Sequence, residues 1–293
     1  MKNKNRFRHL LRGVFALLMA VIAFSGCDKN PAEPDQIGGY SVDMDVAESV
    51  ASALGEDTGG LTDQLGDLID LTASLSLKKG LESADYIDTK EATYDETTGT
   101  WTLTLLRERG NPSGMMYAKI SRIFTYQFLN QAGTPQKFYI TDGDTARTIK
   151  FAIVEGQGRH QTRRLSQQLK TLEGNFTATN AHLPNMTMNG TYKRAAVDTI
   201  TTLKFQRIHD HQSSWVVTDL VGPRGSRKDL SQKLSGTITG TYHADVTFIG
   251  EQLYREKTVD RTITITVNNG ESQINVTGTK FVSNLKQGEL NDN

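Results

Sequence analysis

The sequence predicts a mainly β fold: an antiparallel meander of about ten to twelve strands, open or partly closed, preceded by two amphipathic helices. Three observations carry that prediction. From Ala84 onward apolar residues recur at every second position, with threonine on the alternate ones. That is the pattern of a sheet with one solvated face. Turn signals such as Asn268-Asn269-Gly270 break up these runs. Before Ala84 the apolar period is that of a helix instead. The apolar fraction of 37% is low for a sealed two-face core and suits a one-sided sheet.

The first element is a leader. Met1 to Arg12 carries Lys2, Lys4, Arg6, Arg8 and Arg12 and no acid, and Val14 to Phe24 is an unbroken apolar run. A basic start, a short apolar stretch and a small-residue ending are the layout of an export signal. The run is well short of the roughly 18 residues that a spanning helix needs. Its ending, Phe24-Ser25-Gly26-Cys27, resembles the lipobox of bacterial lipoproteins. The resemblance covers residues 1–27. It implies a signal peptide over 1–26, lipid (palmitate included) on Cys27, and a body held outside the cytoplasm at the bacterial cell envelope. Cys27 is the only cysteine, so an internal disulfide is excluded. Ala23-Phe24-Ser25 offers the alternative of ordinary secretion by a cut before Gly26. Asp28 stands where such lipoproteins can carry an inner-membrane retention signal; inner and outer membrane both stay open.

Residues 27–41 read as a lipidated N-terminus and flexible linker, because Pro31, Pro34, Gly38 and Gly39 interrupt any period. A helical cap follows over 42–83. In its first helix Val46, Ala47, Val50 and Leu54 share a face, Asp43 can cap the start and Gly55 can stop it. In the second, Leu61, Leu65, Leu68, Ile69 and Thr72 line a face, and Lys78 and Lys79 precede Gly80. Both apolar stripes call for cover by the following sheet. The polar faces are acidic (Asp45, Glu48, Asp63, Asp67, Asp70), the wrong charge for helices lying in a membrane interface.

Residues 84–293 form the β domain. Asp95 to Gly99 reads as a hairpin turn before Trp101, Asn130 to Pro135 as a second turn, and Glu155 to Gly158 as the end of the strand Thr148 to Val154. Thr262 to Val267 alternates strictly before the Asn269-Gly270 turn. A shift of 62 residues aligns Leu172–Leu203 with Leu234–Ile265, with Gly174/Gly236, Tyr192/Tyr254 and Asp198/Asp260 among the identities. This reads as an internal repeat of a hairpin unit.

Chemistry is sparse. No nucleophile elbow, zinc-protease, phosphate-loop or paired-cysteine motif is present, and nothing calls for a cofactor. His209 and His211, two apart on one strand face, are the metal candidates; a hairpin turn over Ile208 to Trp215 is the plain alternative. Asp142-Gly143-Asp144 reads as turn chemistry, and Arg159-His160 with Arg163-Arg164 as a solvated basic loop. Without its leader the chain carries 28 basic against 33 acidic residues, net −5, which argues against nucleic acid as a partner. The expected function is a non-catalytic scaffold or binding module, joined to the membrane through its anchor and to another envelope protein. The alternative is a carrier or chaperone for a lipid or other apolar ligand. A carrier would expose an apolar concavity lined by Leu103, Leu105, Phe124 and Phe128; a scaffold would pack those residues shut.

Overall fold

The structure, a computed structural model, describes residues 36–37, 40–73 and 89–291. The leader, Cys27, Asp28, Lys78, Lys79 and Gly80 lie outside the described residues. The chain divides into two compact units, Met1–Ser41 and Val42–Asn293. In the first, β1 (Gln36–Ile37) pairs antiparallel with β2 (Tyr40–Ser41), a short ladder where the sequence reads as linker.

The second unit opens with α1 (Val42–Leu54) and α2 (Leu61–Asp70). Strands follow: β3 (Thr89–Asp95), β4 (Thr100–Gly110), β5 (Tyr117–Leu129), β6 (Pro135–Gln136), β7 (Ile140–Thr141), β8 (Asp144–Thr145), β9 (Thr148–Gln161), β10 (Leu165–Thr179), β11 (Asn185–Thr201) and β12 (Phe205–Pro223). After the single turn α3 (Leu230–Lys233) come β13 (Ser235–Gly250), β14 (Tyr254–Asn268), β15 (Glu271–Val276), β16 (Thr279–Asn284) and β17 (Glu289–Leu290). One antiparallel sheet of 13 strands holds all of these except the separate β7–β8 pair. From β17 back to β9 every strand pairs with its sequence neighbour; β9 then pairs with β5, β5 with β4 and β4 with β3, with β6 beside β5. The fold is therefore the mainly β antiparallel meander that the alternation predicts, with an open ladder.

Strand alternation explains the packing. Along β5 the even positions Ile120, Arg122, Phe124, Tyr126 and Phe128 are buried, and along β10 Leu165, Gln167 and Leu169 are. Turn chemistry fixes register at several points. Asn269 and Gly270 adopt φ of 49° and 83° between β14 and β15, the left-handed pair that a two-residue hairpin requires. The sheet curls round the helices. Arg163, between β9 and β10, donates from Nε to Glu289 Oε2 of β17 at 2.9 Å, although seven ladder steps separate β17 from β10. The α1–α2 loop reaches the β16–β17 turn through Glu56 N–H to Leu285 O at 3.0 Å and Asp57 N–H to Lys286 O at 2.8 Å.

Several local expectations are corrected. The helices are not amphipathic in their surroundings: all ten residues of α2 are buried, as are Asp45, Glu48, Ser49 and Ser52 of α1. The curled sheet covers the acidic faces as well as the apolar stripes. Asp43 is no cap, because α1 already begins at Val42; its carboxylate takes Arg261 Nε at 2.6 Å. Glu155 to Gly158 does not end a strand. β9 runs through to Gln161, with Gly156 under Leu172 and Gly158 against the Lys119 backbone, where a Cβ would collide. Ile208 to Trp215 is the middle of β12 rather than a turn. The basic stretch is not simply a solvated loop, since His160 is buried in β9. The 62-residue alignment does not superpose two hairpins: the β10–β11 turn, 180–184, falls on 242–246 in the middle of β13. Its tyrosines also differ in setting: Tyr192 is buried within β11, and Tyr254 opens β14 at 63% exposure. A closer structural echo is Gly190-Thr191-Tyr192 against Gly240-Thr241-Tyr242, where each glycine lies under an aromatic ring of the preceding strand, Phe176 and Trp215.

Candidate functional site

The chemistry-bearing side chains of the second unit gather in the seam between the helices and the concave face of the sheet. α2 carries Asp63, Asp67 and Asp70 at i, i+4 and i+7, one helical face. Facing them, β4 continues the inward phase of Leu103 and Leu105 with Arg107 and Arg109, and β5 supplies Arg122 in phase with Phe124. Arg227 joins from the β12–β13 connection. Asp63 accepts from Arg107 Nη1 and Arg122 Nη2, each at 2.8 Å, and also from Arg109 and Arg227. Asp67 takes Arg107 Nη2 at 2.7 Å, and Asp70 lies 3.0 Å from Arg227 Nε. Burial alone would raise the Asp63 carboxyl; the four guanidinia outweigh it and hold the group well below the usual carboxylate range. Asp70 has less help. Burial pushes it up to about 7 against the opposing pull of Arg227.

α1 repeats the spacing with Asp45, Ser49 and Ser52. Asp45 is gripped at both oxygens by Arg207, at 2.6 and 3.0 Å, and its Oδ2 lies 3.6 Å from His209 Nε2. The Tyr242 hydroxyl stands 3.3 Å from His209 Nδ1, and its ring stacks on His211 at 4.9 Å. His211 Nε2 is 3.2 Å from Asp198 Oδ2, and Gln167 Nε2 donates to Asp198 Oδ1 at 2.5 Å. Arg194 donates to Gln167 in turn, and Ser52 meets His160. Burial works to raise the Asp198 carboxyl, but His211 and its hydrogen-bond donors pull it well down. Burial and the Arg194 guanidinium push the His160 imidazole down to about 3, so it is neutral at physiological pH. Ser52 and His160 are 0% and 2% exposed, so this hydroxyl–imidazole pair meets no substrate in this conformation.

His209 and His211 do share the inward face of β12, as their spacing requires. They are nevertheless not brought to a common centre, because His209 turns to Asp45, His211 to Asp198, and Tyr242 lies between. Among the described residues no three of His, Cys, Asp or Glu form a group able to hold a metal ion. Leu103, Leu105, Phe124 and Phe128 lie on the concave face and are at most 4% exposed. Cys27 lies outside the described residues. The arginines of the seam are absent from the sequence-derived candidates, although a signal exists. Arg107, Arg122, Arg194 and Arg207 each fall in the apolar phase of their strand, where an outward residue would be a half-period away. The chain matches no family model, no curated protein and no solved structure.

Proposed function

We propose that the chain is a lipid-anchored, non-catalytic β-rich lipoprotein of the bacterial cell envelope. Its folded body acts as a scaffold or binding module for another envelope protein. The observation that carries this reading is the filled concavity: the four residues that would line a carrier's cavity are 0–4% exposed, with the chain's own helices inside the sheet. A carrier needs that space for its ligand. The charged seam supports the same reading, since its carboxylates face guanidinia or imidazoles of this chain rather than a cleft. The anchor rests on the lipobox resemblance at Cys27. No helix among the described residues is long and apolar enough to cross a membrane.

The test is an intact mass of the protein extracted from its native membranes, under denaturing and native conditions. Expected are a chain beginning at Cys27 with acyl groups attached, and no retained small molecule. An unmodified chain beginning at Gly26 refutes the anchor. A small apolar molecule that survives native extraction and leaves on denaturation refutes the scaffold in favour of a carrier.

A further inference from the structure

Single exposed apolar residues are ordinary on any protein surface; three of the largest at one end of a sheet are not. Met115, in the β4–β5 turn, is 71% exposed; Leu203, in the β11–β12 turn, 106%; and Tyr254, at the start of β14, 63%. Ladder register puts these turns side by side. Tyr117 and Ser166 both pair with Gln161, Leu165 pairs with Ile200, and Phe205 pairs with Gly250. The opposite end of the sheet presents Phe138, Ile140 and Leu183, none above 43%.

The body also begins at this end. Asp45 in the first turn of α1 pairs with Arg207, two positions beyond Phe205, so Val42 enters close to the β11–β12 turn. Cys27 precedes Val42 by 15 residues, which keeps that end within about 50 Å of the anchor even at full extension. Exposed Lys204 and Arg255 directly follow Leu203 and Tyr254. Such pairs bury apolar atoms at headgroup level while the cation meets lipid phosphate, and tyrosine is itself favoured at that depth.

We infer that the hairpin tips at Leu203, Tyr254 and Met115 dip into the interfacial layer of a lipid bilayer, so that the body stands on the membrane with its α1 end down. The inference rests on the lipid-anchor reading for the membrane's proximity, and its test separates the two. The full protein is made with Leu203→Cys, Tyr254→Cys or, as a control, Leu183→Cys. Each new thiol receives an environment-sensitive fluorophore. The protein is incorporated into phosphatidylethanolamine–phosphatidylglycerol vesicles containing spin-labelled lipid. Circular dichroism checks that each variant keeps its fold.

Labels at 203 and 254 should lose about half of their emission to the quencher, while the label at 183 keeps its own. Vesicle-bound protein with no quenching at 203 and 254, or with equal quenching at 183, overturns the tips and leaves the anchor standing. If the mass of Cys27 shows no lipid, unlabelled protein is floated with the same vesicles. Flotation that is lost in a combined Met115→Ser, Leu203→Ser, Tyr254→Ser variant upholds the tips without the anchor. Failure of the unlipidated wild type to float overturns the tips too.

Discussion

Replacing Asp63 with asparagine keeps the shape of the side chain and removes the charge at the centre of the α2 seam. The carboxylate is 0% exposed and meets four guanidinia, those of Arg107 and Arg122 at 2.8 Å. Each of those two attractions is worth about 6 kcal/mol at an effective dielectric constant of about 20. Much of that repays desolvation, so the net loss follows what is measured when one member of a buried ion pair is removed, about 3–5 kcal/mol. At roughly 2 °C per kcal/mol for a body of this size, the midpoint of thermal unfolding falls by about 6–10 °C. The control is Asp210→Asn. Asp210 holds Lys170 at 2.8 Å on the outer face, where the two side chains are 59% and 45% exposed. An exposed pair of that kind contributes less than about 1 kcal/mol. The assay is urea and thermal unfolding followed by circular dichroism at pH 7 and constant ionic strength. If Asp63→Asn unfolds within error of Asp210→Asn, the seam does not hold the helices and the account of the core is wrong.

Three further outcomes follow from the same geometry. Burial, with a smaller push from nearby Glu289, raises Glu48 from 4.5 to about 7 although Arg164 faces it. The folded state keeps a proton that the unfolded chain has lost, so this contribution is full below pH 4.5 and disappears as pH rises through 7. Glu48→Gln should remove up to about 3 kcal/mol of that decline, read as urea midpoints against pH; curves that stay parallel to wild type refute it. His160 acts with the opposite sign: its pKa falls from 6.5 to about 3, so its contribution is lost as pH drops below 6.5. His160→Gln should therefore lose less stability than wild type between pH 6.5 and 4, and an unchanged acid limb contradicts the assignment. At Gly190 an added Cβ would lie 2.2 Å from the Asn175 carbonyl oxygen and 2.6 Å from the Phe176 ring. Gly190→Ala should destabilise by about 1–3 kcal/mol, against less than about 1 kcal/mol, the loss of strand propensity, for Thr191→Ala at the exposed neighbouring position, and equal midpoints would contradict the close approach.

The sheet was legible because alternation and turn residues are local properties. Asn269-Gly270 and the Asp95-to-Gly99 turn state their geometry within a few positions, and the Leu and Phe residues of β4 and β5 state which face is inward. The helices were legible as elements for the same reason. Their surroundings were not, because amphipathicity says which face is polar and leaves open what meets it. Asp45 and Arg207 are 162 residues apart and Asp43 and Arg261 are 218 apart, so no local pattern joins them. The clue lay in arginines that keep an apolar phase, a sign that something acidic waits inside. His209 and His211 illustrate the limit of spacing: a shared strand face brings two imidazoles to one side, while the helix decides what each of them meets. The Glu155-to-Gly158 stretch failed as a turn signal because its inward glycines make room for Leu172 and the Lys119 backbone, a steric need that composition does not distinguish from a bend.

The order of these elements along the chain has a consequence for how the protein is made. The acidic helices leave the ribosome first. Asp43 waits for Arg261 218 residues later, Asp45 for Arg207 162 residues later, and Glu48 for the Leu290 amide 242 residues later. A growing chain that has reached β11 has a wall of strands and two charged helices, but Arg207, Arg227 and Arg261, which meet Asp45, Asp63 and Asp43, are still to be synthesised. Closure is therefore a late, long-range event with a large loop entropy to overcome. Until then the carboxylates of Asp43 and Asp45 lack their cations, and burying them unpaired is costly. The same aspartates that lock the finished core thus act, during synthesis, as a delay on its assembly.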